Sequence, residues 1–265
     1  MIEAFVGKGG VGKTTIASSY AMLCSQYGRT AIISTDTMPS LRYLFPNKIE
    51  NLSVYEISEK DITREWIEKY GDEVYSILSN FFEADRDIVD HVANAPGVAE
   101  EFMISKITEM NRSNDYDYII WDTPASSSTM HLLYLENDFY NHIGRDIRFY
   151  LKMKDSFKVT KTLDILNEWR NLAKDVWNEV QHSNFYIVHT DDELTIIQSS
   201  EIEKELRELG IKIEATISNR TQRSSKGLYV PELEGSAREI IQEAEPYIFP
   251  LFEMVHDEYD NKDEE

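Results

Sequence analysis

The chain has 265 residues, of which 42% are hydrophobic and 28% charged, and we predict a single α/β domain spanning residues 1–265. Its 48 acidic and 27 basic residues give a formal net charge of −21, and no dense Lys/Arg run is present, so we expect no nucleic-acid partner. No apolar run approaches the roughly 18 residues of a membrane helix, and the first strand leaves no room for a signal peptide. We therefore expect a cytoplasmic protein without an integral membrane segment.

Apolar, β-rich runs alternate with long helical patterns along the chain. Such alternation predicts parallel strands joined by right-handed helical crossovers, with ligands at the carboxyl ends of the strands. The predicted fold is a mostly parallel, doubly wound α/β sheet flanked by helices and a small helical cap. The predicted strands are Ile2 to Val6, Thr30 to Ser34, Leu52 to Tyr55, Tyr116 to Trp121, Asn184 to Val188, Ile211 to Ile217 and Tyr247 to Phe249.

The turn after the first predicted strand reads GKGGVGKTT and fits the pattern G-x-x-x-x-G-K-[ST] from Gly7 to Thr14. Its glycines let backbone N–H groups turn inward onto phosphate oxygens, and the following helix adds a partial positive charge. Lys13 would neutralise the β- and γ-phosphates, and the Thr14 hydroxyl would bind Mg²⁺. The residues predicted to bind the nucleotide here are Gly9, Gly10, Val11, Gly12, Lys13, Thr14 and Thr15.

Two acidic residues follow predicted central strands. Asp36 leaves the second strand, where it could orient a water molecule against the γ-phosphate. Asp122 ends the strand YIIWD and is predicted to hold Mg²⁺ together with Thr14. The expected cofactors are ATP or ADP and Mg²⁺.

Two long regions are predicted to be helical. Residues 58–112 carry Trp66, Tyr70, Val74 and Ile77 at helical spacing, and residues 134–182 carry a second stripe that includes Leu166 and Trp169. We predict that both regions form a cap beside the sheet. The last residues, 256–265, are predicted to form an acidic, solvated tail.

Taken together, several segments resemble the arsenite-pump ATPase (ArsA) group, which includes ATPases that target tail-anchored membrane proteins. The segments are GKGGVGKTT, STD at 34–36, PGVAEE at 96–101, DTPASSSTMHLL at 122–133, ISN at 217–219 and FPLFEM at 249–254. The resemblance implies a Mg²⁺-dependent homodimeric switch that hydrolyses ATP and passes its conformational change to a protein client.

The same resemblance implies residue roles. Lys8 would be the extra lysine of a deviant Walker A loop that reaches the partner subunit's nucleotide, and it would act in catalysis together with Lys13 and Asp36. Asn219 would read the adenine edge, and a loop at 249–251, including Pro250, would pack on the base.

The chain departs from the group in the segment DTPASSSTMHLL and in its number of cysteines. The group has a glycine and a histidine where this chain has Ser127 and Ser128, and losing that glycine would alter backbone motion near the γ-phosphate. Cys24 is the one cysteine, so neither a multi-thiol arsenite site nor a CxxC zinc clip can form within the chain. The client therefore stays open.

Two alternatives remain at this stage. A positioning ATPase of the ParA/MinD kind shares KGGxGKT, although it would need a basic DNA-binding face or a cationic C-terminal helix. A nucleotide-binding module with little hydrolysis would use ATP only to lock a dimer. The presence of both Lys8 and Asp36 favours ATP hydrolysis over a module that only binds nucleotide.

Overall fold

A computed structural model describes residues 1–36, 38, 40–79, 83, 85–95, 97–138, 157–221 and 227–260. The strands are β1 (Ile2–Val6), β2 (Thr30–Ser34), β3 (Leu52–Glu56), β4 (Tyr118–Asp122), β5 (Asn184–His189), β6 (Ile213–Thr221) and β7 (Leu228–Pro231). The described helices are α1 (Lys13–Cys24), α2 (Leu41–Leu44), α3 (Glu59–Leu78), α4 (Asp87–Ala93), α5 (Val98–Arg112), α6 (126–138), α7 (Phe157–Gln181), α8 (Glu193–Glu208) and α9 (Ala237–Asp260).

The seven strands form one sheet in the order β3-β2-β4-β1-β5-β6-β7, and every pairing is parallel. Winding runs outward from β1 in both directions, so the strand order reverses beside β1. In open parallel sheets this switch point opens a crevice at the carboxyl ends of the strands. The predicted fold class is confirmed, and the β1–α1 turn lies at this crevice.

The core of the sheet is apolar, and β1 carries a buried carboxylate within it. β1 and β2 are buried along their whole length, as expected for central strands of a parallel sheet. Glu3, on β1, accepts hydrogen bonds at 2.7 Å from the hydroxyl groups of both Tyr20 and Tyr186. Burial raises the pKa of Glu3 despite these two bonds. The bonds offset the free-energy cost of burying a carboxyl group in an apolar core.

One predicted strand is wrong and one strand was missed. Tyr247 to Phe249 lies inside α9, where Ile248, Leu251 and Phe252 are buried at helical spacing. A short apolar run does not distinguish a strand from a helix by periodicity, and Pro246 and Pro250 argued against a helix there. β7 escaped prediction because it has four residues, ends in a proline and pairs with β6 alone at the sheet edge.

The chain divides into two compact units. The sheet unit comprises Met1–Glu56, Met110–Met130 and Gln181–Glu265, and the helical unit comprises Ile57–Glu109 and His131–Val180. Both predicted helical regions contain long helices, although residues 139–156 of the second lie outside the described part. Their arrangement as a cap stays a prediction.

Two further predictions concern membrane segments and the C-terminus. Among the described residues, none of the helices combines the length and apolar character needed to span a membrane. The acidic tail begins inside α9, which continues to Asp260, and residues 261–265 lie outside the described part.

Candidate nucleotide-binding site

The turn from β1 to α1 depends on glycine for steric reasons. Gly12 has φ = 91°, and a Cβ atom there would lie 2.3 Å from the Asn219 side-chain nitrogen. At Gly7, a Cβ atom would lie 2.2 Å from the carbonyl oxygen of Val188. Because atoms cannot approach so closely, a side chain at either position would displace the turn from its place against β5 and β6.

The first turn of α1 supplies donors for an anion. The helix begins at Lys13 directly after Gly12, which has no side chain to cap it, and the first turn carries no acidic residue. The N–H groups of a first helical turn lack partners within the helix and carry a partial positive charge. This end of α1 is thus suited to bind phosphate oxygens.

Lys13 is a buried cation that feels the charges of two carboxylates. Its side-chain nitrogen donates to the carbonyl oxygen of Lys8 at 3.3 Å, and the residue is 7% exposed. Burial lowers the pKa of Lys13, whereas the charges of Asp122 and Asp36 act in the opposite direction. The structure therefore brings together the three charged side chains that the sequence assigned to phosphate, metal and water.

Asp122 has one satisfied and one unsatisfied oxygen. Its Oδ2 accepts hydrogen bonds from the hydroxyls of Thr14 at 2.9 Å and Ser34 at 3.2 Å. Its Oδ1 is buried and has no hydrogen-bond partner in the described part of the chain. Burial raises the pKa of Asp122 to about 6, against the lowering effect of Thr14, Lys13 and Ser34.

This oxygen set fits a magnesium ion. Mg²⁺ prefers hard oxygen ligands and commonly uses one carboxylate with a hydroxyl, substrate phosphates and water, so a large cluster of acidic ligands is not required. An orphaned buried carboxylate oxygen normally needs an explanation, and a bound cation is one. Ser34 was not predicted, although the parallel register that pairs it with Asp122 provides the signal.

Asp36 lies just beyond β2 in a tight turn. Its backbone N–H donates to the Ser34 hydroxyl at 3.4 Å, and its Oδ1 accepts from the Met38 backbone N–H at 3.0 Å. Its negative charge opposes the lowering of the Lys13 pKa by burial and adds slightly to the raising of the Asp122 pKa by burial. The charge of Asp36 therefore acts on two of the side chains predicted to bind phosphate and metal.

The segment after β4 is tied to the same turn. The Ser126 N–H donates to the carbonyl oxygen of Gly7 at 3.1 Å, and the Thr123 hydroxyl donates to the carbonyl oxygen of Phe5 at 2.7 Å. Ser127 and Ser128 are exposed in the first turn of α6. The two serines that replace the expected glycine and histidine thus begin a helix next to the segment anchored on Gly7.

Two residues at the end of β6 donate hydrogen bonds to backbone carbonyl groups of the phosphate-binding turn. The buried Asn219 side chain donates to the carbonyl oxygen of Val11 at 2.8 Å, and Arg220 donates to that of Gly10 at 3.4 Å. Arg220 has φ = 53°, a backbone conformation that is unusual for a residue other than glycine and that the sequence did not predict. Pro250 is exposed within α9, so the predicted loop at 249–251 is wrong, and a base-packing role for Pro250 stays a prediction.

Lys8 has a charged neighbour within its own chain. Hydrogen bonds from Thr190 and Thr195 lower the pKa of Asp192 to about 2, and the charge of Lys8 contributes to this lowering. Asp192 also caps α8 by accepting from the Thr195 N–H at 3.0 Å. In this structure the charge of Lys8 is thus the smallest of the influences that lower the pKa of Asp192.

A glycine-rich turn between β1 and α1, a buried lysine and a strand-end aspartate bonded to the helix threonine define a P-loop nucleoside triphosphatase. The sequence profile of the anion-transporting ATPase family matches residues 2–227, and the chain belongs to this family. Its enzyme class is ATPase, as predicted.

Known relatives are similar along most of the chain. An arsenical pump-driving ATPase 2 of Aquifex aeolicus is 26% identical over 82% of this chain and 78% of its own length. An arsenical pump-driving ATPase of Prosthecochloris vibrioformis is 24% identical over 94% of this chain and 68% of its own length. The ATPase GET3C of Arabidopsis thaliana is 24% identical over 81% of this chain and 65% of its own length.

Proposed function

We propose that the protein is a Mg²⁺-dependent, ATP-hydrolysing homodimeric switch that couples its nucleotide state to a protein client. The observation that carries the proposal is the buried Asp122 carboxylate, held by Thr14 and Ser34, with its second oxygen unpartnered next to the charge of Lys13. Such a constellation suits a phosphate-bound metal. The cytoplasm is the proposed location.

Phosphate binding follows from the turn and α1. Backbone N–H groups of Gly9 through Thr15 would donate to the phosphate oxygens, and Lys13 would exchange its bond to the Lys8 carbonyl for the β- and γ-phosphates. Because Lys13 is buried, an anion there interacts with it more strongly than it would in water. Thr14 and Asp122 would hold Mg²⁺, which would supply charge neutralisation at the phosphates.

Hydrolysis requires a positioned water and a charge for the transition state. We assign the first role to Asp36, whose carboxylate would orient and accept from the attacking water. We assign the second to Lys8 of the opposite subunit, acting like an arginine finger. Asp192 would be the resting partner of Lys8 before the dimer closes.

Adenine recognition is assigned to Asn219 and Pro250. The Asn219 amide nitrogen is engaged by Val11, which leaves its oxygen as the acceptor for the exocyclic amine of adenine. Pro250 would pack on the base. Truncation of Asn219 would therefore weaken both base reading and the support of the phosphate-binding turn.

The client is proposed to be a protein rather than a metalloid. Cys24 is the one thiol of the chain and is fully buried, and burial raises its pKa well above the ordinary value. Soft metalloids need several thiolates, which a chain with one inert thiol does not offer. Arsenite or antimonite should accordingly leave the ATPase rate unchanged, as measured by titration.

Calorimetry with Lys13→Ala tests the site. We expect Mg²⁺–ATP binding to disappear or weaken by at least about a hundredfold, because the phosphates lose their fixed cation in a partly dry site. Lys48→Ala removes an exposed lysine and is the matched control. Unchanged ATP affinity in Lys13→Ala, with the control also unchanged, would refute the assignment.

A further inference from the structure

The helical unit contains a cavity of about 340 Å³ lined by residues of α3, α4, α5, α6 and α7. We call it the helical cavity, and it is lined by Trp66, Tyr70, Phe102, Trp169, Ala173 and further apolar residues, together with Glu101 and Glu136. Its volume falls within the range of small-molecule sites. All of its lining residues belong to the helical unit, so it shares no residue with the nucleotide site.

Aromatic rings give the cavity a fixed apolar wall. The Tyr70 ring centroid lies 6.1 Å from that of Trp66, 5.7 Å from that of Phe102 and 5.8 Å from that of Trp169. The Trp169 indole N–H donates to the Glu73 carboxylate at 2.6 Å, which fixes the indole. The wall combines apolar area with ring faces that attract cations.

Glu136 is a buried carboxyl group at this wall. It is 3% exposed, and none of the described residues donates a hydrogen bond to it. Burial first, and the charge of Glu101 second, raise the pKa of Glu136 to about 8. Both glutamates line the same cavity, so two acidic groups face a space that is otherwise almost entirely apolar.

A buried carboxyl group without a partner is costly, and a second carboxyl group nearby increases that cost. Either a proton or a cation can relieve it. A bare metal ion would find two carboxylates and a wall of apolar side chains, which leaves most of its coordination unfilled. An organic ammonium ion suits both the acidic and the apolar part of the cavity, because its charged end can bind a carboxylate while its apolar body packs against the aromatic rings.

We propose that the helical cavity binds a small apolar amine in its ammonium form, with the charge at Glu136 and the apolar body against Trp66, Tyr70 and Trp169. The site is independent of the phosphate-binding turn. Binding should therefore occur without nucleotide and persist in Lys13→Ala.

Matched amphiphiles test this directly. We would titrate the nucleotide-free protein with octylammonium, 1-octanol and octanoate at submicellar concentration, following the tryptophan fluorescence, to which the cavity residues contribute two of the four indoles of the chain. Octylammonium should bind at least about tenfold more tightly than octanol, since it gains charge-assisted hydrogen bonds. Octanoate should bind most weakly because it brings a negative charge to a cavity that already holds acidic groups.

Three variants test whether the probes bind in the helical cavity and whether Glu136 holds the ammonium group. Glu136→Gln keeps the shape of the side chain and should reduce octylammonium affinity by about tenfold or more, to the level of octanol, while octanol affinity is retained. Glu68→Gln removes an exposed carboxylate of α3 outside the cavity and should change nothing. Ala173→Phe should fill the cavity and abolish binding of every probe.

Three outcomes would overturn the proposal. The first is equal affinity for octylammonium and octanol in the wild type. The second is undiminished octylammonium affinity in Glu136→Gln. The third is unaltered probe binding in folded Ala173→Phe, which would place the probes elsewhere.

Discussion

Asp122 shows how a single residue links the core of the sheet to the chemistry of the site. It ends β4, lies level with Ser34 on the neighbouring β2 and faces Thr14 at the start of α1. Motif spacing could predict Thr14 and Asp122 because each occupies a fixed place relative to a strand end. Arg220 could not be predicted, because its contact with the turn depends on an unusual backbone conformation.

The pKa of Asp122 predicts a pH dependence of metal binding. The carboxyl group has a pKa of about 6 without metal, so below that pH a proton competes for the oxygens that would bind Mg²⁺. The ratio of Mg²⁺–ATP affinity in wild type to that in Asp122→Asn should fall by about tenfold between pH 7.5 and pH 5. Using a ratio cancels the titration of the phosphates. Calorimetry that finds a pH-independent ratio would contradict the metal role.

Glu136 predicts a stability that falls with rising pH. Its folded-state pKa of about 8 exceeds the ordinary value of 4.5, so between these values the folded chain keeps a proton that the unfolded chain has lost. Each pH unit in this window should cost up to about 1.4 kcal/mol. Glu136→Gln removes the effect, so its stability advantage over wild type in urea unfolding should grow from pH 5 to pH 8. A constant difference would show that Glu136 ionises normally.

At the scale of elements, most strands could be predicted because alternating β-rich and helical runs carry strong periodic signals. β1, β2 and β5 were predicted within one residue of their bounds. The middle of α9 was wrongly predicted as a strand, because three apolar residues fit both periods and the two prolines that flank them favoured a break in a helix. β7 was not predicted because its apolar run is too short to indicate a strand. Its position in the sheet is set by pairing with β6.

The β1–α1 junction allows a matched pair of glycine variants. Gly12→Ala would force a Cβ atom against Asn219 at a positive φ, so we expect a loss of about 1–3 kcal/mol in unfolding free energy. Gly9→Ala meets only Ala125 at 3.9 Å and should be nearly neutral without nucleotide. Urea unfolding of both variants measures the difference. Equal stabilities would show that the turn is not held against Asn219 as described.

At the scale of the whole molecule, the nucleotide site and the helical cavity belong to different compact units. The sequence could predict that helical regions interrupt the sheet, since their stripes have helical spacing. It could not predict that the stripes carrying Trp66, Tyr70 and Trp169 line a cavity, because periodicity identifies the apolar face of a helix without showing how completely that face is filled.

Two subunits are proposed to complete each other's nucleotide sites through Lys8. Lys8→Ala and Asp36→Asn should each be nearly inactive as purified proteins, because each lacks one group that every site requires. In a mixed dimer, the site in the Lys8→Ala subunit keeps its own Asp36 and receives Lys8 from its neighbour. The other site lacks both groups.

The ATPase rate of an equal mixture of these two variants is the most direct test. Free subunit exchange makes about half of the dimers mixed, so the mixture should regain about a quarter of the wild-type sites. Differently tagged copies verify that mixed dimers form, and wild type mixed with Lys8→Ala verifies that a dimer with one complete site turns over. Recovery near a quarter supports Lys8 acting across the dimer; no recovery, with both controls positive, would contradict it.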